Sequence, residues 1–373
     1  MFRLTLILIF LCSPSLLVAV LRKERTVIVD SVSGEPLPSA SVFNRKGGMI
    51  GVCSESGLLP LINHADYPLT IRYTGYLPAV IARGAPDTVR MREMVTELPE
   101  IVVSSFRGDA LRLIGYLREY STLTSYSDTI LLFREKIVDF VIPRDRRRKV
   151  KGWLTPRMLA SRSYYRFLSS SGLDSVSDRY REHFSWSDWV GIIDRVEMPL
   201  KIRCEEFATD TLPARHGHSQ LWSRECGDVR LDFNVLADTL NRALVPGIGS
   251  YMHDGLEFSQ FKVGYNFSNV GDSLIWADNI TTMGFTIESA GRGKSMFRVF
   301  RKNEPYYVNT FGELYITGRE SLSAAQVRRL EKYPPKADEV IIEAPEFAPE
   351  LDESIVRLVS RVEGIDQSGG VWR

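Results

Sequence analysis

Several short patterns in this chain carry residue types that chemistry uses. Gly271-Asp272-Ser273-Leu274 is a serine-nucleophile pattern. Such a serine needs an imidazole downstream to take its proton. The last histidine here is His253, so no base follows. Gly291-Arg292-Gly293-Lys294-Ser295 has the end of a phosphate-binding loop, but Glu288 stands where that loop needs its first glycine. Gly247-Ile248-Gly249 would need a third glycine at Met252 to read as a dinucleotide fingerprint. The serine pattern is a chance match, the second reads as a hairpin turn, and the dinucleotide fingerprint fails.

His216-Gly217-His218 is the metal candidate. On a strand, residues i and i+2 point the same way, so both imidazoles could reach one ion, with His183, Asp188, Asp210 or Glu206 completing the set. The polar stretch between Pro213 and Trp222 equally fits a solvated loop. Arg144-Asp145-Arg146-Arg147-Arg148-Lys149 is the strongest charge run. It fits a loop for an anionic partner, or a solvated hairpin tip. Tyr164, Tyr165 and Phe167, with Phe184, Trp186 and Trp189, concentrate aromatic rings beside Arg166 and Asp188. The ligand reading takes Tyr164, Tyr165, Arg166, Trp186, Asp188 and Trp189 as one stacking surface for a sugar or peptide. The other reading is core packing. Cys204 and Cys226 fit one disulfide or two free thiols. No cofactor is expected.

The elements that must hold these residues divide the chain in three. Its 373 residues carry 47 Lys+Arg against 46 Asp+Glu, with 44% hydrophobic residues. Those values exclude disorder and leave no cationic surplus for nucleic acid. Met1 to Leu21 reads as a secretory signal: a basic start, then an apolar run interrupted by Pro14. No span is expected after its removal. From Thr26 to Met94, short apolar runs alternate with Gly/Pro turns such as Ser33-Gly34-Glu35-Pro36 and Gly47-Gly48. That pattern predicts a small β-sandwich.

Val29-Asp30, Ser33 to Val42 and Ile71-Arg72-Tyr73-Thr74-Gly75-Tyr76 resemble the carboxypeptidase regulatory-like domain. The resemblance implies a transthyretin-like sandwich of about seven strands that docks or supports and has no peptidase activity. Ser56-Gly57-Leu58 departs from that family's acidic-Gly-aromatic turn. Leu98 to Val103, within the connecting stretch 95–105, resembles the strand that follows this domain in bacterial outer-membrane receptors. Together these imply export to a Gram-negative periplasm or the periplasmic face of an outer membrane.

Residues 106–333 read as a β-rich domain. Thr129 to Ile142, Phe258 to Phe267, Leu274 to Ala277, Thr281 to Glu288, Ser295 to Phe300 and Tyr306 to Thr317 are predicted strands. Ala110 to Tyr120 fits helix or strand. Thr155-Pro156 predicts a short helix start, and Val229 to Leu244 predicts one long helix. Ser323 and Gln326 form a capping box. Residues 334–373 are an acidic, proline-containing tail with a short helix near 355–362. The expectation is a mainly β protein: a transthyretin-like sandwich, then an antiparallel-sheet α+β domain, open or half-closed around the long helix. An apolar hollow between that helix and the sheet would be the binding site. The function expected is a non-enzymatic docking or binding module for an envelope protein, glycan or lipid. A metal-dependent hydrolase at His216/His218 is the alternative.

Overall fold

The computed structural model describes residues 26–83, 86–94, 108–145, 156–179, 186–188, 190–215, 217–244, 257–271, 273–292, 304–335 and 340–364. The signal segment 1–21, the connecting stretch 95–105, the predicted strand 295–300, Arg146 to Lys149, His183, Phe184, Trp189 and His216 lie outside them.

The N-terminal unit has two layers. Strand β1 (Val27–Asp30) pairs in parallel with β6 (Thr88–Met91). Opposite stands a four-stranded sheet in the order β3 (Met49–Val52), β2 (Ser41–Phe43), β4 (Leu69–Arg72), β5 (Ala79–Ile81). Ile28, Leu37, Val42, Cys53, Leu69, Ile71 and Tyr73 fill the space between them. Residues 58–62 form no strand and contribute one bridge, Val27 to Leu58.

The rest is built on one antiparallel sheet of ten strands. Its order is β10 (Asp174–Ser177), β9 (Arg157–Ser169), β8 (Asp128–Pro143), β7 (Ala110–Thr124), β18 (Pro305–Leu322), β17 (Ile280–Arg292), β15 (Glu257–Phe267), β14 (Asp228–Asn234), β13 (His218–Glu225) and β12 (Phe207–Pro213). The fold is mainly β, as the sequence pattern predicts. Strand β11 (Arg195–Glu197) pairs with β16 (Leu274–Trp276) outside the main sheet.

Two expected helices are strands or largely so. Residues 157–159 open β9. The 229–244 segment is β14 followed only by the short α2 (Thr239–Leu244). Val229, Leu231, Phe233 and Val235 alternate into the apolar core, while Arg230 and Asp232 are buried on the other face. The two-residue period of Val229 to Val235 marks the strand, and helix forms only over Thr239–Leu244. The 110–120 segment is β7 throughout.

Alternation gives the large sheet two distinct faces. One face presents Leu113, Leu117, Leu132, Val263, Phe285 and Leu314 to the apolar core. Segment 186–204, including β11 and the short α1 (Leu200–Cys204), lies across it and inserts Trp186, Val190, Ile192, Ile193, Val196, Met198 and Ile202. The expected hollow is therefore filled by the chain itself. The second face carries Tyr120, Phe133, Tyr164 and Phe311, covered by Phe43 and Met49 of the sandwich and by Ile355 and Leu358 of α4 (Glu353–Val362). Following β18 in the chain, α3 (Ala324–Lys332) starts at Ser323 with the capping box in place and packs Val327 beside Ala110, Val141 and Leu322. No helix among the described residues is long and apolar enough to cross a membrane.

Candidate functional site: a cationic cleft between the sandwich, the sheet and the C-terminal helix

The sandwich is fastened to the sheet by two buried ionic clusters. In the first, Arg72 at the end of β4 reaches Glu313 of β18 at 3.3 Å and Asp352, the residue before α4, at 2.9 Å. Its guanidinium also lies 4.6 Å from the centre of the Tyr120 ring. Burial alone would lower the pKa of Arg72, but Tyr120, Glu313 and Asp352 together raise it, so it stays charged. Arg118 of β7 donates to Pro349 O at 2.6 Å, which brings the C-terminal segment onto the same face.

In the second cluster, Tyr73 donates to Asp232 at 2.9 Å, and Arg230 donates to the same carboxylate oxygen at 2.8 Å. Arg230 stacks over Tyr73 and Tyr76, 4.4 and 4.8 Å from their ring centres. Lys262 donates to Pro38 O at 3.0 Å and to the Tyr73 hydroxyl. Burial pulls its pKa down to about 7, with Asp232 opposing the shift. Burial would raise Asp232, but Arg230 and Lys262 outweigh it and hold that carboxyl below its ordinary range. Both clusters are buried and mutually paired, so they offer no open coordination or reaction space.

A third polar group lies on the apolar face. Ser187 donates to Glu119, and Lys136 Nζ sits 2.5 Å from both Ser187 Oγ and Asp188 Oδ1. A serine beside a buried lysine is a nucleophile–base geometry. Here the serine proton is committed to Glu119, and Ser187 and Lys136 are 1% and 0% exposed. Glu119 also accepts from the Trp186 and Ser187 backbone N–H groups, at 2.8 and 3.4 Å. The arrangement latches the crossing segment to β7 and β8.

The aromatic candidates do not share a surface. Tyr164 faces the sandwich side, stacked on Phe133 with centres 6.1 Å apart, and its hydroxyl donates to Glu363 at 3.0 Å. Tyr165 points the opposite way into the core, as the next residue on a strand must. Trp186 is 1% exposed and packs 5.2 Å from Phe258. Asp188 pairs with Lys136 and Arg134. One stacking platform is thereby replaced by three core positions, a latch at Asp188, and Arg166, which alone reaches a cleft. Arg144 grips Asp278 with two bonds of 2.6 Å, and the rest of its run lies outside the described residues. His218 opens β13, 3.9 Å from Glu55. No group of three or more His, Cys, Asp or Glu among the described residues could hold a metal. Cys204 ends α1 and Cys226 turns a hairpin at φ 47°; both are free and exposed rather than bridged.

The sheet edges are partly closed. Cys226 N donates to Glu206 O, so by the antiparallel alternation residues 208, 210 and 212 bond to β13, while 207, 209 and 211 turn outward. Pro213, with no N–H, stands in that outward register, and Thr211 N–H is met by Asp210 Oδ1 at 2.9 Å. At the far edge, Arg361 of α4 donates to Asp174 O at 3.3 Å.

A cleft of about 410 Å³ lies where three parts of the chain meet. The turn between β2 and β3 supplies Arg45 and Lys46, β9 supplies Arg166, and α4 supplies Arg357, Arg361 and Glu353. Five cations thus face one lining carboxylate. Asp174, at the rim, holds Arg166 at 2.7 Å and Arg361 at 3.0 Å, and Glu353 holds Arg357. The two arginines keep Asp174 below its ordinary pKa, Arg166 through its hydrogen bond most of all. Among the described residues no ion pair or side-chain hydrogen bond engages the Arg45 guanidinium or the Lys46 ammonium. Sequence reading found Arg166 but not its partners. The spacing of Glu353, Arg357 and Arg361 marks one helix face, yet nothing local ties that face to residues 45 and 46.

No family model matches this chain. No curated protein matches it either. Among solved structures it is similar to a chain from a structure titled "Lipid-protein interactions in lipovitellin", at 10% identity and a TM-score of 0.26. The match covers 59% of this chain and 26% of that one, so it spans about a quarter of the neighbour. No functional assignment follows from that likeness.

Proposed function

We propose that this chain is an exported, non-catalytic binding module of the cell envelope, and that its partner is an anionic, sugar-bearing envelope component. The cationic cleft supports the reading. Lys46 and four arginines converge on it from three elements, and among the described residues no carboxylate pairs with Arg45 or Lys46. Guanidinium groups suit anionic oxygens because their forked donors match them geometrically. The filled apolar face argues against enclosing a lipid chain, and the blunted edges argue against strand addition. The basic, apolar start from Met1 to Leu21 and the resemblance of the sandwich support export.

Cell fractionation with N-terminal sequencing tests the location; a cytosolic protein beginning at Met1 refutes it. Co-sedimentation with outer-membrane vesicles of a Gram-negative bacterium tests the partner. The expected result is binding at low ionic strength that weakens with added salt and is lost in Arg45→Glu/Lys46→Glu. Binding that the double charge reversal leaves intact removes the cleft from the function.

A further inference from the structure

We infer that the cleft recognises a phosphomonoester carried on a sugar, an assignment that rests on the anionic-partner reading above and narrows it. The cations are of two kinds. Arg166, Arg361 and Arg357 already hold carboxylates, Asp174 and Glu353, at 2.7 Å, 3.0 Å and in direct contact respectively. At those three arginines an incoming monocarboxylate would only duplicate the internal carboxylates. Arg45 and Lys46, on the turn opposite α4, carry two positive charges with no carboxylate partner among the described residues. A phosphomonoester brings about −1.5 to −2 charges at neutral pH and three acceptor oxygens. It matches that unneutralised pair in charge, and its remaining oxygen can reach the guanidinium groups of α4.

Size points the same way. At about 410 Å³ the cleft is far roomier than a bare inorganic anion needs and falls within the roughly 300–1,000 Å³ of small-ligand sites. Pro68 and Leu358 give it an apolar patch, and Ser354 a hydroxyl. A sugar ring has both kinds of surface to offer. The ligand therefore bridges the sandwich turn and the C-terminal helix.

The test is isothermal titration of the full chain with glucose 6-phosphate, glucuronate and inorganic phosphate, beside co-sedimentation with phosphatidylcholine vesicles with and without phosphatidic acid. Glucose 6-phosphate binding at least tenfold tighter than glucuronate and inorganic phosphate, and at least tenfold weaker in Arg45→Ala/Lys46→Ala, is expected for a soluble sugar phosphate. Binding only to phosphatidic acid vesicles, lost in the same variant, keeps the phosphomonoester and overturns its placement on a sugar. Both substitutions are on an exposed turn, and a far-ultraviolet circular dichroism spectrum identical to wild type shows that the fold is kept. Equal binding of glucuronate overturns the phosphomonoester assignment while leaving the anionic reading standing. Failure of every probe, together with failure to sediment with outer-membrane vesicles, overturns both.

Discussion

Arg72 and Asp352 are joined by two hydrogen bonds from one guanidinium to one carboxylate oxygen, Nε at 3.2 Å and Nη2 at 2.9 Å. The same guanidinium reaches Glu313 of the sheet. One side chain therefore ties the sandwich, the sheet and the C-terminal segment together. This junction holds α4 over β9 and β10 and so sets the width of the cationic cleft.

Replacing Arg72 by Met leaves buried Glu313 with only the longer pairing to Arg118, at 3.9 Å. Truncating one partner of a buried pair costs ~3–5 kcal/mol, and chemical denaturation of the variant should show a loss in that range. Asp352 is 17% exposed, so Asp352→Asn should cost less. A double-mutant cycle should return a coupling between them; additive losses would mean the junction is not one unit.

Lys262 makes stability depend on pH. Its pKa is about 7 in the folded protein, against 10.5 for an ordinary lysine. Between those values the unfolded chain binds the extra proton, so stability should rise as pH increases from about 7 to 10. The penalty for the buried charge is complete below pH 7. Lys262→Met should flatten this part of the profile, measured as denaturation midpoint against pH. A slope that survives the substitution assigns the effect to another group.

Close approach of the sandwich to the sheet depends on Gly284. A Cβ there would lie 1.9 Å from Thr74 Oγ1, with Thr74 Cγ2 at 2.7 Å. Gly284→Ala should push the sandwich outward and cost roughly 1–3 kcal/mol, as overpacking does. Gly284→Ala with Thr74→Ser tests whether removing the methyl recovers part of the loss.

Gly47 performs a similar service for the cleft. Its φ is +84°, and a Cβ would sit 2.9 Å from Ser354 Oγ. Gly47→Ala should cost about 1 kcal/mol or more and weaken ligand binding, because the turn bearing Arg45 and Lys46 must move off α4. Gly34→Ala, at φ +73° with nothing within 4 Å, carries the strain without the contact and should leave binding unchanged.

Ser187 separates a latch from a nucleophile. Ser187→Ala leaves Lys136 and Glu119 each short of a bond and should cost ~1–3 kcal/mol. Thermal melts should show this as a lower transition temperature. Any ester hydrolysis by the wild-type protein that disappears in the variant would instead identify a catalytic serine.

The residues alone determine the β character of this chain. Gly/Pro turns at close spacing mark the sandwich, and apolar alternation marks β15 and β17, because these signals act within a few residues. The capping box at Ser323 and the short helix of the tail are likewise local. What local signals could not settle is which strands have two buried faces. In β14, Arg230 and Asp232 look like a solvated face between apolar residues, yet they are buried under Tyr73 and Tyr76 of the sandwich. Only tertiary structure decides that, since their burial depends on partners more than a hundred residues away, such as Tyr73 on Asp232. The candidate site divides in the same manner. Tyr164, Tyr165 and Arg166 are adjacent in sequence but the pleat sends Tyr165 to the opposite face. Arg45, Arg166 and Arg357 are distant in sequence and meet because the sandwich and α4 pack side by side on one face of the sheet. Charge density along the chain drew the eye to residues 144–149. The cleft instead draws one or two cations from each of three separate elements, and such convergence leaves no mark in a linear count.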